Sequence, residues 1–335
     1  MDAGSAAGGK LRWGILSTAD IGLRKVVPAI MKSPHSQVVA MASRDAARAR
    51  SALDGLGLPA ARAHGTYEAL LADPEVDAIY NPLPNHLHVE WTLAAARAGK
   101  HVLCEKPIGL DAADAARLLD CPPGVIVAEA FMIRFHPQWQ RAREIVRSGE
   151  LGEIRAVRAV FCYHNTDPAN VRNMAGIGGG GILDIGCYPV LGARFLLDAE
   201  PLRVVALVDR DPVFKTDRLA SVIADFGGGV QLSFVCSTQL AGCQSIEVLG
   251  TKGRVELVIP FNAPADATTE LLAGQGRRET IATCDQYTEQ AESFALAVLT
   301  GAPFPYGVAD AVRNMRTLDA IFASEKTGGW VAVGG

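Results

Sequence analysis

The sequence has no Cys-x-x-Cys pair, and its seven cysteines lie far apart. An odd, scattered set argues against a disulfide framework and suits reduced thiols in a cytoplasmic protein. No His/Cys/Asp cluster has ligand spacing, so no metal is expected. Charge of either sign is not in surplus: 32 lysines and arginines against 36 aspartates and glutamates leave −4. That balance argues against a nucleic-acid partner. No apolar run reaches membrane-spanning length, so no membrane partner is expected. Residues 1–10 are small and polar, with neither an apolar signal core nor a twin arginine, and read as a disordered leader. No repeat is evident.

What is present is an alternation. Apolar runs at 11–16, 37–42, 60–64, 76–80, 100–104 and 125–128 read as strands, and the segments at 21–31, 45–56, 67–71, 88–98 and 111–119 read as helices. Pro28 marks the first helix as short or kinked. Strands alternating with helices predict a doubly wound parallel sheet, an α/β domain over residues 11–128. In such a sheet, ligands bind beyond the strand ends. The turn after the first strand, Ser17-Thr18-Ala19-Asp20-Ile21-Gly22, keeps only the last glycine of the G-x-G-x-x-G dinucleotide fingerprint, with Ser17 and Ala19 at the other two. Small side chains there still permit close approach of a pyrophosphate to the helix start. The second strand ends in Ala42-Ser43-Arg44, with no carboxylate at the position that binds an NAD ribose. Arg44, with Arg48 one turn on, is placed to receive a 2′-phosphate, which favours NADP over NAD. Asp45 complicates that reading, and both arginines also read as solvated helix charges.

Two further strand ends carry chemistry. Asn81-Pro82-Leu83-Pro84-Asn85-His86-Leu87-His88 interrupts regular structure before a helix that Asn85 is suited to cap. His86 or His88 stands where a nicotinamide or substrate would be reached, though a histidine near a helix start is more often a packing residue. The strand ending in Cys104-Glu105-Lys106-Pro107 delivers a glutamate and a lysine to a proline turn. Lys106 reads either as a pocket lysine serving proton transfer or as half of a surface ion pair.

From residue 129 the texture changes. After a helix at 137–148, strand-like runs at 154–163, 203–209, 219–226, 230–236, 245–249 and 254–259 follow with few helices between them. Gly227-Gly228-Gly229 and Gly250-Thr251-Lys252-Gly253 look like hairpin turns, so residues 129–335 are expected to form a separate α+β domain on a mostly antiparallel sheet. Helices at 287–299 and 308–324 close the chain. Within this half lies Gly178-Gly179-Gly180-Gly181-Ile182-Leu183-Asp184-Ile185-Gly186-Cys187-Tyr188-Pro189. Four glycines let a backbone fold closely over a ligand. If the segment is helical, Asp184 and Tyr188 share a face. A carboxylate that grips a hydroxyl beside a phenol that relays its proton suits alcohol oxidation. The plainer reading is a capping aspartate and a core tyrosine.

With Glu105-Lys106-Pro107 and the Gly-Gly-Gly-x-x-x-Asp-x-Gly-x-Tyr run both in view, the sequence resembles the glucose-fructose oxidoreductase, inositol dehydrogenase and rhizopine-catabolism family. Asn81-Pro82-Leu83-Pro84-Asn85, Glu129-Ala130-Phe131-Met132-x-Arg134, Asn170-Val171-Arg172 and Gly250-Thr251-x-Gly253 extend the likeness over nearly the whole chain. Tyrosine at 188, where inositol dehydrogenases have histidine, points to the sugar and dimeric dihydrodiol dehydrogenase branch. The resemblance implies a Rossmann domain, an α+β domain whose open sheet forms a homo-oligomer interface in a dimer or tetramer, and a nicotinamide cofactor in the cleft between them. It makes Lys106 and Tyr188 catalytic with Asp184, and Lys106, Arg172, Asp184 and Tyr188 the substrate contacts. The expected cofactor set is Ser17, Thr18, Ala19, Ile21, Ser43, Arg44, Arg48, Leu83, Asn85, His88, Glu105 and Lys106. The expected activity is NADP-dependent hydride transfer with a cyclic polyol, foremost an aldose at C1 or a vicinal diol. Alternatives are an enzyme that keeps its nucleotide and shuttles hydride between two sugars, and a non-catalytic NADP-sensing regulator.

Overall fold

The computed structural model describes residues 9–334, so most of the expected leader, residues 1–8, lies outside the described residues. The chain divides into two compact units. The first comprises the chain up to Gly109, Ala113–Met132 and Gln286–Ala311; the second comprises Leu110–Ala112, Ile133–Asp285 and Val312 onward.

The first unit is built on β1 (Leu11–Leu16), β2 (Ser36–Ala42), β3 (Arg62–His64), β4 (Ala78–Asn81), β5 (His101–Cys104) and β6 (Val127–Glu129). They lie in the order β3-β2-β1-β4-β5-β6, every neighbouring pair parallel. Central strands such as β1 and β4 are buried almost throughout, which is why they read as continuous apolar runs rather than alternating ones. The order reverses between β1 and β4, where the connections leave in opposite directions and open a crevice beyond the strand ends. The helix Gln286–Thr300, assigned from chain order to the second domain, returns to this unit. Its apolar stripe explains why: Ala291, Phe294 and Ala295 are fully buried, and the Phe294 ring lies 5.2 Å from that of Trp13 on β1.

The helix after β1 does not break at Pro28. Gly22–Val26 is π-helical and Val27–Lys32 α-helical, so the proline sits at the start of a new hydrogen-bond register where its missing N–H costs little. The same arrangement recurs in the second unit, where π-helical Ile182–Gly186 precedes α-helical Cys187–Leu197 and Pro189.

The second unit holds a nine-stranded sheet: β7 (Ile154–His164), β8 (Arg203–Arg210), β9 (Asp217–Asp225), β10 (Gln231–Ser237), β11 (Gln239–Gly250), β12 (Arg254–Leu257), β13 (Thr269–Gly274), β14 (Arg277–Ile281) and β15 (Val331–Ala332). The order is β14-β13-β12-β11-β7-β10-β9-β8-β15. Both glycine turns make the expected hairpins, β9–β10 and β11–β12. One pairing departs from a run of consecutive hairpins: β7 inserts between β10 and β11 and runs parallel to β10, so the sheet is mixed.

One face of this sheet carries the helices Pro137–Arg147 and Cys187–Leu197. Gly192 permits their close approach, since a Cβ there would stand 2.7 Å from the Trp139 ring. The stretch Ala175–Leu197 is long and apolar enough to cross a membrane, but 89% of its most apolar window is buried within the protein, as in a core helix. The other face is open. Leu207 is 78% exposed and Ile223 44%, and with Val205 and Val235 they line a shallow depression of about 630 Å³.

Candidate active site

Each unit carries one cluster of functional side chains. In the first, Ser17, Thr18, Ala19, Ser43, Arg44, Arg48 and Leu83 line a cavity of about 430 Å³ at the carboxyl ends of β1, β2 and β4. Ser17 holds φ at +113°, a conformation that favours glycine, so the backbone keeps the shape of the fingerprint turn although the glycine is gone. Its N–H donates to the carbonyls of Ile15 and Ala42, and its hydroxyl accepts from the Ala19 N–H at 3.3 Å. The Asp45 carboxylate accepts from the Ala47 N–H at 2.9 Å as the N-cap of Ala46–Gly55. It is thereby engaged at its own helix, and no carboxylate lines the cavity among the described residues. Tyr67, Pro82, Pro84, His86 and Leu87 complete the wall. Tyr67 was not legible as a site residue. Burial raises its phenol above the ordinary value, while the charges of Arg44 and Arg48 pull it down, which places both guanidinium groups near its ring. A turn shaped for close backbone approach, two arginines and no carboxylate fit a dinucleotide bearing a 2′-phosphate.

Other expected cofactor residues are used differently. Ile21 packs against the apolar core. Asn85 does not cap the helix His88–Arg97; it opens a 3₁₀ turn, Asn85–Leu87, that runs directly into that helix. His88 is buried, its Nδ1 2.7 Å from the Pro107 carbonyl and its Nε2 2.5 Å from the Leu83 carbonyl. Burial lowers its pKa to about 4 against the pull of both carbonyls. The neutral ring has one N–H to donate, so it hydrogen-bonds one of the two carbonyls and packs against the other, between the loop after β4 and the residue following Lys106. Glu105 accepts from the Tyr80 hydroxyl at 2.7 Å, and burial beside that carboxylate drives the Tyr80 phenol far upward. Glu105 N–H donates to Asn81 at the end of β4, so Lys106 leaves the sheet from a fixed strand end, through a cis bond to Pro107.

The second cluster surrounds Asp184, which is 9% exposed. Its Oδ2 accepts from the Tyr163 hydroxyl at 2.6 Å and from Arg172 Nε at 2.9 Å. Burial and the Asp184 charge push the Tyr163 phenol well above its ordinary range, and the same charge holds Arg172 firmly protonated. Tyr163, at the end of β7, is a site residue the sequence did not single out. Tyr188 is 5% exposed, its ring 5.5 Å from those of both Phe161 and Phe261, so it is anchored in an aromatic cluster.

Asp184 is not a helix cap. Asp217 at the start of β9 takes that role, its Oδ2 accepting from the Ile182 N–H at 2.5 Å. The glycine run is shaped by the same carboxylate. A Cβ on Gly180 would meet Asp217 Oδ1 at 2.0 Å, and one on Gly179 would meet the carbonyls of Arg172 and Met174 at 2.7 Å. The close approach those glycines permit is therefore to the protein's own Asp217 and Arg172 loop.

Comparison with known proteins agrees with this arrangement. Residues 11–123 match the oxidoreductase family model described as an NAD-binding Rossmann fold, and residues 139–256 match the GFO/IDH/MocA C-terminal domain. The chain belongs to the GFO/IDH/MocA family of oxidoreductases. It is 45% identical to the oxidoreductase ORF334 of Rhizobium meliloti, over 96% of this chain and 99% of the relative. It is 41% identical to D-xylose 1-dehydrogenase (NADP(+)) 2 of Haloferax volcanii, over 95% of this chain and 98% of that one. A 3-ketoreductase from Actinomadura kijaniata, solved with NADP and TDP-benzene, superposes with a TM-score of 0.88 at 30% identity, covering 94% of this chain and 98% of its own.

Proposed function

We propose that this oxidoreductase is an NADP-dependent dehydrogenase of a neutral cyclic polyol, foremost an aldose at C1 and otherwise a vicinal diol. The observation that carries the reading is the fixed Asp184 carboxylate: two donors hold one of its oxygens, and Asp217 relieves it of helix capping. NADP, when bound, supplies the hydride acceptor. Asp184 orients the sugar hydroxyl, Tyr188 takes its proton, and Lys106 stabilises the charge that develops on the substrate oxygen. A neutral substrate is favoured because the Arg172 charge is already matched by Asp184. NADP over NAD is supported by Arg44 and Arg48 in the cavity wall and by the engagement of Asp45 as a cap. The relative named as an NADP-dependent D-xylose dehydrogenase supports both cofactor and substrate class.

A second copy of the chain is proposed to cover the open face around Leu207 and Ile223, and a cytoplasmic setting is proposed from the odd, scattered cysteines of the sequence. The deciding experiment is a screen for NADP+ reduction across aldoses, inositols and vicinal diols, read as nicotinamide absorbance. Turnover of at least one aldose or diol is expected. Tight NADP binding with no turnover across the screen would favour the sensing role instead.

A further inference from the structure

Cys162 on β7 and Cys243 on β11 are directly opposed in antiparallel register. Opposed residues in such a pair have Cα atoms about 4.5 to 5.5 Å apart, inside the range of about 4.4 to 6.8 Å that a disulfide spans. The side chains meet as well, since Cys243 is the neighbour whose hydrogen bond and charge act on the Cys162 thiol. Their exposure differs sharply: Cys162 is 3% exposed, whereas Cys243 is open to solvent beside an irregular stretch of β11 between Gln239 and Cys243. Two other thiols lie near but on the opposite side of the sheet. Cys236 pairs in register with Phe161 and faces the helices, where its sulfur would stand 3.1 Å from a Cβ on Gly186, and Cys187 belongs to the helix itself.

We propose that Cys162 and Cys243 form a dithiol that hydrogen peroxide oxidises to a disulfide bridging β7 and β11. The exposed Cys243 sulfur attacks one peroxide oxygen; the O–O bond breaks, a sulfenic acid forms, and the departing oxygen leaves as water with the thiol proton. The Cys162 sulfur then attacks the Cys243 sulfur; the S–S bond forms, the S–O bond breaks, and the hydroxyl departs as a second water with the Cys162 proton. Two thiols are oxidised and one peroxide is reduced. Burial and the Cys243 neighbour push the Cys162 thiol up to about 12, which makes it the poorer thiolate of the pair and leaves the first attack on peroxide to the exposed Cys243. Cys162 adjoins Tyr163, so the bridge would form one residue from the phenol that holds Asp184.

The test treats the assembled full-length protein with hydrogen peroxide, alkylates the remaining thiols and maps peptides without reduction. The expected products are a linked Cys162–Cys243 peptide that dithiothreitol releases, and, in Cys162→Ser, a Cys243 sulfenic acid trapped by dimedone. Cys243→Ser should yield neither. Separately alkylated Cys162 and Cys243 in the treated protein, or a bridge to Cys187 or Cys236 in its place, would overturn the proposal. The readout needs no substrate, so its outcome is independent of the proposed dehydrogenase activity.

Discussion

The Tyr163 hydroxyl donates to Asp184 Oδ2 at 2.6 Å, on the same oxygen that Arg172 Nε reaches at 2.9 Å. A strand end and a loop thus aim one carboxylate. Tyr163→Phe keeps the ring and removes one hydrogen bond to a charge, worth about 1.5 to 3 kcal/mol. The expected result is a fall in kcat/KM of roughly 10- to 100-fold in a variant that remains folded. Unchanged kinetics would show that Asp184 needs no such support.

Lys106 leaves a strand end fixed by the Glu105 N–H to Asn81 hydrogen bond. Lys106→Met should lower kcat by about 100-fold or more while a fluorescence titration still shows NADP binding. Near-normal turnover by this variant would remove Lys106 from the chemistry.

Ser17 adopts φ +113° without being glycine. A backbone held there costs about 1 to 3 kcal/mol. Ser17→Gly should therefore raise the denaturation midpoint, offset in part by the freedom glycine adds to the unfolded chain. A lowered midpoint would mean that the Ser17 hydroxyl bond to Ala19 outweighs the backbone term.

Asp217 is buried, and burial raises its carboxyl to about 6 from an ordinary 3.8. A group whose folded pKa is raised adds stability that is fully present below the unfolded value and lost as pH climbs through the folded one. Stability attributable to Asp217 should thus decline between about pH 4 and pH 6. Asp217→Asn keeps an oxygen for the Ile182 N–H and carries no charge. Chemical denaturation of this variant should show a flatter pH profile over that window and greater stability than the parent above it.

The exposed Leu207 lies on the open face of the sheet, on β8 beside the edge strand β15. Leu207→Arg should convert an assembly to a smaller species by light scattering while the chain remains folded. A parent protein that is already monomeric would rule out the second-copy proposal.

The first unit was legible because its physics is local. Runs such as Leu11–Leu16 are apolar throughout, their neighbours are reached through single helices, and the strand order follows from short crossovers. The second unit hid where partners are distant. The parallel pairing of β7 with β10, and the strands Arg277–Ile281 and Val331–Ala332, depend on contacts no local pattern announces; the latter strands are short or rich in charge. The site divided in the same way. Asp184, Tyr188 and Lys106 are candidates by spacing and motif, whereas Tyr163 and Asp217 sit at ordinary strand ends and meet Asp184 and the glycine-led helix only when the chain folds. His88 shows the converse, a residue with suggestive chemistry whose ring is buried between two backbone carbonyls.

The π-helical stretch Ile182–Gly186 amounts to one residue more than an α-helix would use to cover the same rise. Deleting a single residue there, Leu183 for instance, would let the stretch tighten to uniform α geometry, and Asp184, which lies inside it, would turn relative to Cys187–Leu197. Aim, in this helix, is thus encoded as length: an unremarkable extra residue turns the carboxylate toward Tyr163 and Arg172, and its loss would leave every side chain chemically intact and the carboxylate pointing elsewhere.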